Sequence, residues 1–229
     1  MGQMKTRKTV FTILYDIKKD IISPMTDVIP MAKKVYPAAE ASCSGKYTVW
    51  MKSLVFHSNG CTVYDSNGDI VYRVDNYDKK GATQVNLMDL RGTLVCSIHK
   101  KLLAFGRWDV YRCNDSDSDY TRQQQKTKKK PWFEVKTSYK MMITGRVARC
   151  QVTTIGCQKY CIHRICSKTS GFMIFNMKNG HIVANAKQKQ TCSGILLGKD
   201  VLRLDVEGDI DHSLIMAFVT VFALVCGSI

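Results

Sequence analysis

The chain has 229 residues, enough to bury one substantial core, and all-β barrels of this length commonly form a single domain. Its 34 Lys and Arg outnumber 19 Asp and Glu, and the net charge of +15 either attracts phosphate-bearing partners or serves only to keep the protein soluble. Ten cysteines without a visible secretory leader argue against a disulfide framework and read as cytosolic thiols, most of them small core hydrophobes.

The N-terminus, Met1-Gly2-Gln3-Met4-Lys5-Thr6, fits the myristoylation pattern M-G-x-x-x-[ST], with Gly2 as the acceptor. Lys5, Arg7 and Lys8 would supply the basic second signal that one acyl chain needs, whereas translation from Met4 or Met31 would remove the pattern. The apolar run Val10–Tyr15 is stopped by Asp16, Lys18, Lys19 and Asp20, short of a secretory h-region.

From Val49 to Asp78 the sequence folds three β-rich runs back on one another. Asn67-Gly68 predicts a type I′ hairpin turn, and Ile70, Tyr72 and Val74 then alternate with Val71, Arg73 and Asp75. Strands are predicted over 47–56, 60–65, 69–75, 84–89, 93–99, 108–113, 132–137, 146–153, 159–164, 172–177, 181–187 and 201–206. Leu94, Cys96 and Ile98 share one face, as do Phe133 with Val135, and Asn179-Gly180 predicts a second hairpin. No amphipathic helices interleave, which argues against a βαβ fold. Residues 114–130, NDSDSDYTRQQQKTKKK, offer almost no apolar anchor and are expected to form a mobile loop.

After Asp209, Ile210 and Asp211 comes HSLIMAFVTVFALVCGSI, in which only Thr220 is polar between Leu214 and Cys226. A helix over 210–226 that is apolar on every side belongs inside a core or a membrane. The 16 residues from Leu214 to Ile229 fall short of the usual span of about 20 and lack flanking Lys or Arg. A dozen-stranded barrel has an interior that needs filling. The expectation is therefore a buried central helix, with Asp209 or Asp211 as its N-cap and a tail anchor as the alternative.

The runs VWMKSLVF, GCTVYDSNGDIVYRVDNYD and LMDLRG resemble the plant LURP-one-related proteins of the tubby-like superfamily, which also includes phospholipid scramblases. Lys34-Val35-Tyr36-Pro37, Arg107-Trp108 and Gly198-Lys199-Asp200-Val201-Leu202 extend the resemblance over roughly residues 31 to 229. It implies a mainly β fold: a closed antiparallel barrel of about twelve strands around one hydrophobic C-terminal helix. Residues 1–30 precede the family pattern as a poorly ordered extension, and 151–170 look like an insertion. The resemblance also implies a phosphoinositide-tethered regulator, with a role in plant defence.

Candidate chemistry is sparse. Cys157, Cys161, His163 and Cys166, spaced C-x3-C-x-H-x2-C, depart from the paired knuckles of structural zinc sites. There is no nucleophile elbow, phosphate loop or HExxH, so neither enzyme activity, cofactor nor metal is expected. For an anionic lipid or phosphoinositide headgroup the candidate donors are Lys100, Lys101 and Arg107 with Lys128, Lys129 and Lys130, because its phosphates need several convergent donors. Barrel loops are expected to bring the two groups together. The expected partner is thus an anionic membrane surface met peripherally by a cytoplasmic monomer, at the plasma membrane, with Lys126–Lys130 doubling as a nuclear import signal. The alternatives are a scramblase-like protein and a nucleic-acid or protein-interaction module. Nucleic acid is disfavoured because only Trp132 stands beside the basic loop.

Overall fold

In the computed structural model, residues 44–54, 59–76, 83–113, 130–142, 145–164 and 171–229 are described. They form twelve strands: β1 (Gly45–Trp50), β2 (Asn59–Tyr64), β3 (Ile70–Asn76), β4 (Gln84–Asp89), β5 (Leu94–Lys100), β6 (Arg107–Arg112), β7 (Phe133–Met142), β8 (Gly145–Thr154), β9 (Lys159–Arg164), β10 (Phe172–Asn176), β11 (Ile182–Gln188) and β12 (Val201–Val206). One helix follows, α1 (His212–Cys226). Each strand pairs antiparallel with its sequence neighbours, and β12 returns to β1 in the register Gly45 to Val206 and Trp50 to Val201. The barrel is therefore closed, which leaves no open sheet edge.

Period-two alternation sets the wall. Cys61 and Val63, Val85 and Leu87, Cys96 and Ile98, Trp108 and Val110, and Phe133 and Val135 all point inward and are buried. Leu94, predicted to share the inner face with Cys96, lies at the first residue of β5 and stays partly exposed. Against this wall packs α1, with every residue from Leu214 to Ala223 buried. Phe218 meets Phe133 edge to face at 4.8 Å between ring centres and Tyr160 at 5.4 Å; Phe222 meets Phe172 at 5.0 Å. The lone polar residue of the stretch, Thr220, donates its hydroxyl to the Met216 carbonyl at 2.8 Å, so nothing polar is left unsatisfied there. The helix is the core of the barrel. No described helix is long and apolar enough to cross a membrane.

Both helix ends are tied down. Asp211 caps the N-terminus by accepting from the amides of Ser213 and Leu214, and its carboxylate also meets Arg112 at 3.4 Å. Tyr47 bonds His212 at 2.7 Å and Tyr72 bonds Ser213 at 3.1 Å, fixing the helix start to β1 and β3. Gly227, left-handed at φ 67°, ends the helix, while the Ser228 amide donates back to the Ala223 carbonyl at 2.9 Å.

The turn at Asn67-Gly68 differs from the predicted type I′. Asp65 pairs with Asp69 around a three-residue loop, and only Gly68 has positive φ, at 84°. The cause is the Asp65 side chain, which accepts from the amides of Asn67 and Asp69 at 2.9 Å each and holds Asn67 in the ordinary φ region. The same frame recurs at Asp89–Thr93 and, with a threonine hydroxyl, at Thr191–Ile195. Asn179-Gly180 likewise closes a longer loop, in which the Asn176 amide donates to the His181 carbonyl at 2.9 Å.

Residues 151–170, read from sequence as an insertion, supply the end of β8 and all of β9 among their described members. These strands are staves of the barrel, with Cys150 paired to Ile162 and Phe172 to Arg164. Residues 1–30, Gly2 and nearly all of 114–130 lie outside the described residues.

Candidate functional site

Because neighbouring strands are antiparallel, successive connections alternate between the two rims of the barrel. One rim holds the start of α1, the 65–69 and 89–93 turns and the connection from β6 to β7. The other holds the end of α1, the β5–β6 turn and the β11–β12 connection. Lys100 and Arg107 flank the β5–β6 turn, whereas Lys130, exposed before β7, stands at the opposite rim. Contrary to the expectation from sequence, Lys130 therefore does not join Lys100, Lys101 and Arg107; Lys128 and Lys129 are outside the described residues. The alternation of rims is a topological fact that strand counting already contains.

The three remaining candidates differ in what they have to give. Lys101 is engaged, with its ammonium 2.8 Å from Asp109, and that bond pushes its pKa upward. Tyr111 donates to the same carboxylate at 3.5 Å and meets the His99 ring edge-on, while burial draws the His99 pKa down. Lys100 is exposed and lies 5.7 Å above the Trp108 ring. Arg107 is exposed and stands directly opposite Lys136 in the β6–β7 register. Neither Arg107 nor Lys136 enters an ion pair among the described residues. Like charges face to face on a strand pair are destabilising, so an anion shared between them relieves a cost already present in the fold.

Beside this pair opens a cleft of about 180 Å³, lined by Arg107, Asp109, Glu134, Lys136, Gln151 and Thr153. Lys101 neutralises Asp109, which leaves two cations against the carboxylate of Glu134, with an amide and a hydroxyl as neutral donors. Lys136 was not singled out from sequence, yet it was findable: it lies on the outer face of a strand whose inner positions are Phe133 and Val135. A second cavity, about 260 Å³, lies between the wall and the end of α1 on this same rim, with Arg164 and Lys199 among its lining residues.

Other candidates come apart. Cys161 and His163 lie on the outer face of β9, where the Arg149 side chain donates to the Cys161 sulfur at 3.1 Å. Cys157 sits exposed in the turn before β9, and Cys166 lies outside the described residues. Among the described residues no group of three His, Cys, Asp or Glu side chains could hold a metal ion.

Residues 46–223, from β1 into α1, match the family model described as LURP-one-related. The chain is similar to Protein LURP-one-related 4 of Arabidopsis thaliana, 41% identical over 182 residues and covering 79% of this chain and 78% of that protein. Similarity extends to Protein LURP-one-related 3 of the same plant, 39% identical over 182 residues, with 78% of each chain covered. Protein LURP-one-related 11 is 35% identical over 184 residues, covering 78% of this chain and 76% of that one. A protein of Arabidopsis thaliana solved by X-ray crystallography shares the fold at a TM-score of 0.50, with 14% identity over 78% of this chain and 88% of its own. With the family model matched over 46–223 and relatives 35–41% identical over most of their length, the chain belongs to the LURP-one-related family.

Proposed function

We propose that this protein is a non-enzymatic module that docks peripherally on an anionic membrane surface, a phosphoinositide-bearing one in particular. The observation that carries the reading is the face-to-face couple Arg107 and Lys136, which no ion pair among the described residues engages, beside exposed Lys100, on a chain of net charge +15. Phosphate oxygens accept from several donors at once, and the Arg107 guanidinium offers a planar fork suited to them. The rim that holds these residues also carries Lys52, Arg164 and Lys199, against Asp200, which Lys52 already meets at 3.1 Å. The family resemblance supports a cytoplasmic regulator of this kind with a role in defence. A scramblase-like activity would need α1 to leave the barrel, exposing the ten buried residues from Leu214 to Ala223.

The test is sedimentation with vesicles that contain or lack phosphoinositide. Each basic side chain near an anionic surface contributes about 1 kcal/mol, so the double variant Arg107→Ala, Lys136→Ala should bind roughly 30-fold more weakly. Binding should also fall with salt. Equal binding by wild type and variant, or displacement by single-stranded DNA but not by anionic lipid, would refute the reading.

A further inference from the structure

The β5–β6 turn has a composition that its position does not explain. It reads Lys101-Leu102-Leu103-Ala104-Phe105-Gly106, where tight turns favour Gly, Asn, Asp and Ser. Leu102 is 73% exposed, and Leu103 and Phe105 are both 101% exposed, so none of the three packs on the barrel. No fold-stabilising role accounts for them.

The turn is nevertheless held in shape. The Lys101 amide donates to the Arg107 carbonyl at 2.9 Å, Ala104 to Lys101 at 3.4 Å and Arg107 to Ala104 at 3.1 Å. The Gly106 carbonyl accepts from both the amide and the hydroxyl of Thr137, at 2.7 and 2.9 Å. Gly106 has φ 70°, and a Cβ there would collide with the Thr137 hydroxyl. The apolar tip is thus presented in a fixed conformation, and three of the seven amides from Lys101 to Arg107 already have backbone partners, which lowers the cost of taking it out of water.

We infer that this turn is a membrane wedge: Leu102, Leu103 and Phe105 enter the interface of an anionic bilayer while Lys100 and Arg107 lie at headgroup level. The inference rests on the anionic-surface reading and assigns that surface its apolar contact. Shape and charge favour a bilayer over a protein. Three side chains on a convex tip offer far less than the roughly 800 Å² per partner that a stable protein interface needs. A bilayer accepts a convex tip, and basic residues at its base complement anionic headgroups. Ile195 and Leu196, 65% and 56% exposed, stand on the same rim in the β11–β12 connection, diametrically across the barrel. Two apolar points at opposite sides of one rim would set that rim, rather than the barrel flank, against the lipid.

The test uses the full chain carrying Phe105→Trp and vesicles with brominated acyl chains. Native Trp50 and Trp108 are 7% and 6% exposed, and the partly buried Trp132 stands at the opposite rim from the turn, so wild type supplies the background. The expected result is a blue-shifted, bromine-quenched new indole on anionic vesicles, with wild type little affected. The triple variant Leu102→Ser, Leu103→Ser, Phe105→Ser should partition at least about a hundredfold more weakly with an unchanged thermal midpoint, because these side chains pack on nothing. Sedimentation with an unquenched indole and an undiminished triple variant would overturn the wedge and leave the anionic-surface reading standing. A blue shift without vesicles, together with self-association, would overturn it in favour of a second copy of the chain. No sedimentation with any vesicle would overturn both.

Discussion

Truncating Phe218 probes the helical plug most sharply. Its side chain is fully buried and meets Phe133 and Tyr160 at 4.8 and 5.4 Å between ring centres. Phe to Ala substitutions in cores cost about 3 to 5 kcal/mol, from lost transfer energy and the cavity left behind. Each aromatic pair accounts for about 0.5 to 1.5 kcal/mol of that. With a urea slope of about 2 kcal/mol/M, Phe218→Ala should move the unfolding midpoint down by roughly 2 M. Total stabilities of about 5 to 15 kcal/mol leave room for that variant to unfold outright. Phe218→Leu keeps the volume nearly constant, loses the ring contacts and should shift the midpoint by about 0.5 to 1 M. Midpoints within about 0.3 M of wild type for both variants, at equal slope, would refute a helix packed inside the wall.

Three further outcomes follow from single residues. Cys157 occupies the left-handed position of a three-residue turn at φ 58°, where an L side chain is strained by about 1 to 2 kcal/mol. Cys157→Gly should therefore raise the melting temperature by roughly 2 °C after the added freedom of the unfolded chain is counted, and a fall would contradict the assignment. Asp211→Ala removes both the cap and the Arg112 contact and should cost about 1 to 2 kcal/mol, whereas Asp211→Asn, which keeps the cap, should cost a few tenths; equal losses by denaturation would count against the capping geometry. Burial pushes the Cys61 and Cys96 thiols from 9.0 up to about 12, and Tyr47 from 10.0 up to about 12. The unfolded chain then releases these protons first as pH rises, so the native state binds more of them and stability falls between about pH 9 and 12, being fully present below that window. Urea midpoints that stay flat across it would contradict the buried, protonated thiols.

The fold was legible because its signals repeat. Alternation in segments such as Phe133–Val135 and Leu202–Val206 marked strands, and an apolar run with no polar face marked the plug. Turn chemistry was less legible. Asn67-Gly68 signals a two-residue loop, but an aspartate two positions earlier competes for the same amides and wins. The candidate site was half legible. Basic residues near 100–107 stood out, while their partition between free and committed charge depended on Asp109, which faces outward between two buried neighbours and takes Lys101. Lys136 was legible as an outer-face residue, but its place opposite Arg107 depends on register; Lys130 leaves the group because consecutive loops alternate rims, which strand counting already contains. Pairing and register are long-range properties, which local pattern does not fix.

Hydrogen exchange of the amides in 215–226, with and without anionic vesicles, tests most directly whether α1 remains the interior of the barrel while the rim meets lipid. We expect these amides to exchange only through global unfolding, at the slowest rates in the molecule, and to keep those rates when vesicles are added. Fast exchange in solution, or a change of protection confined to α1 on vesicle binding, would contradict the account.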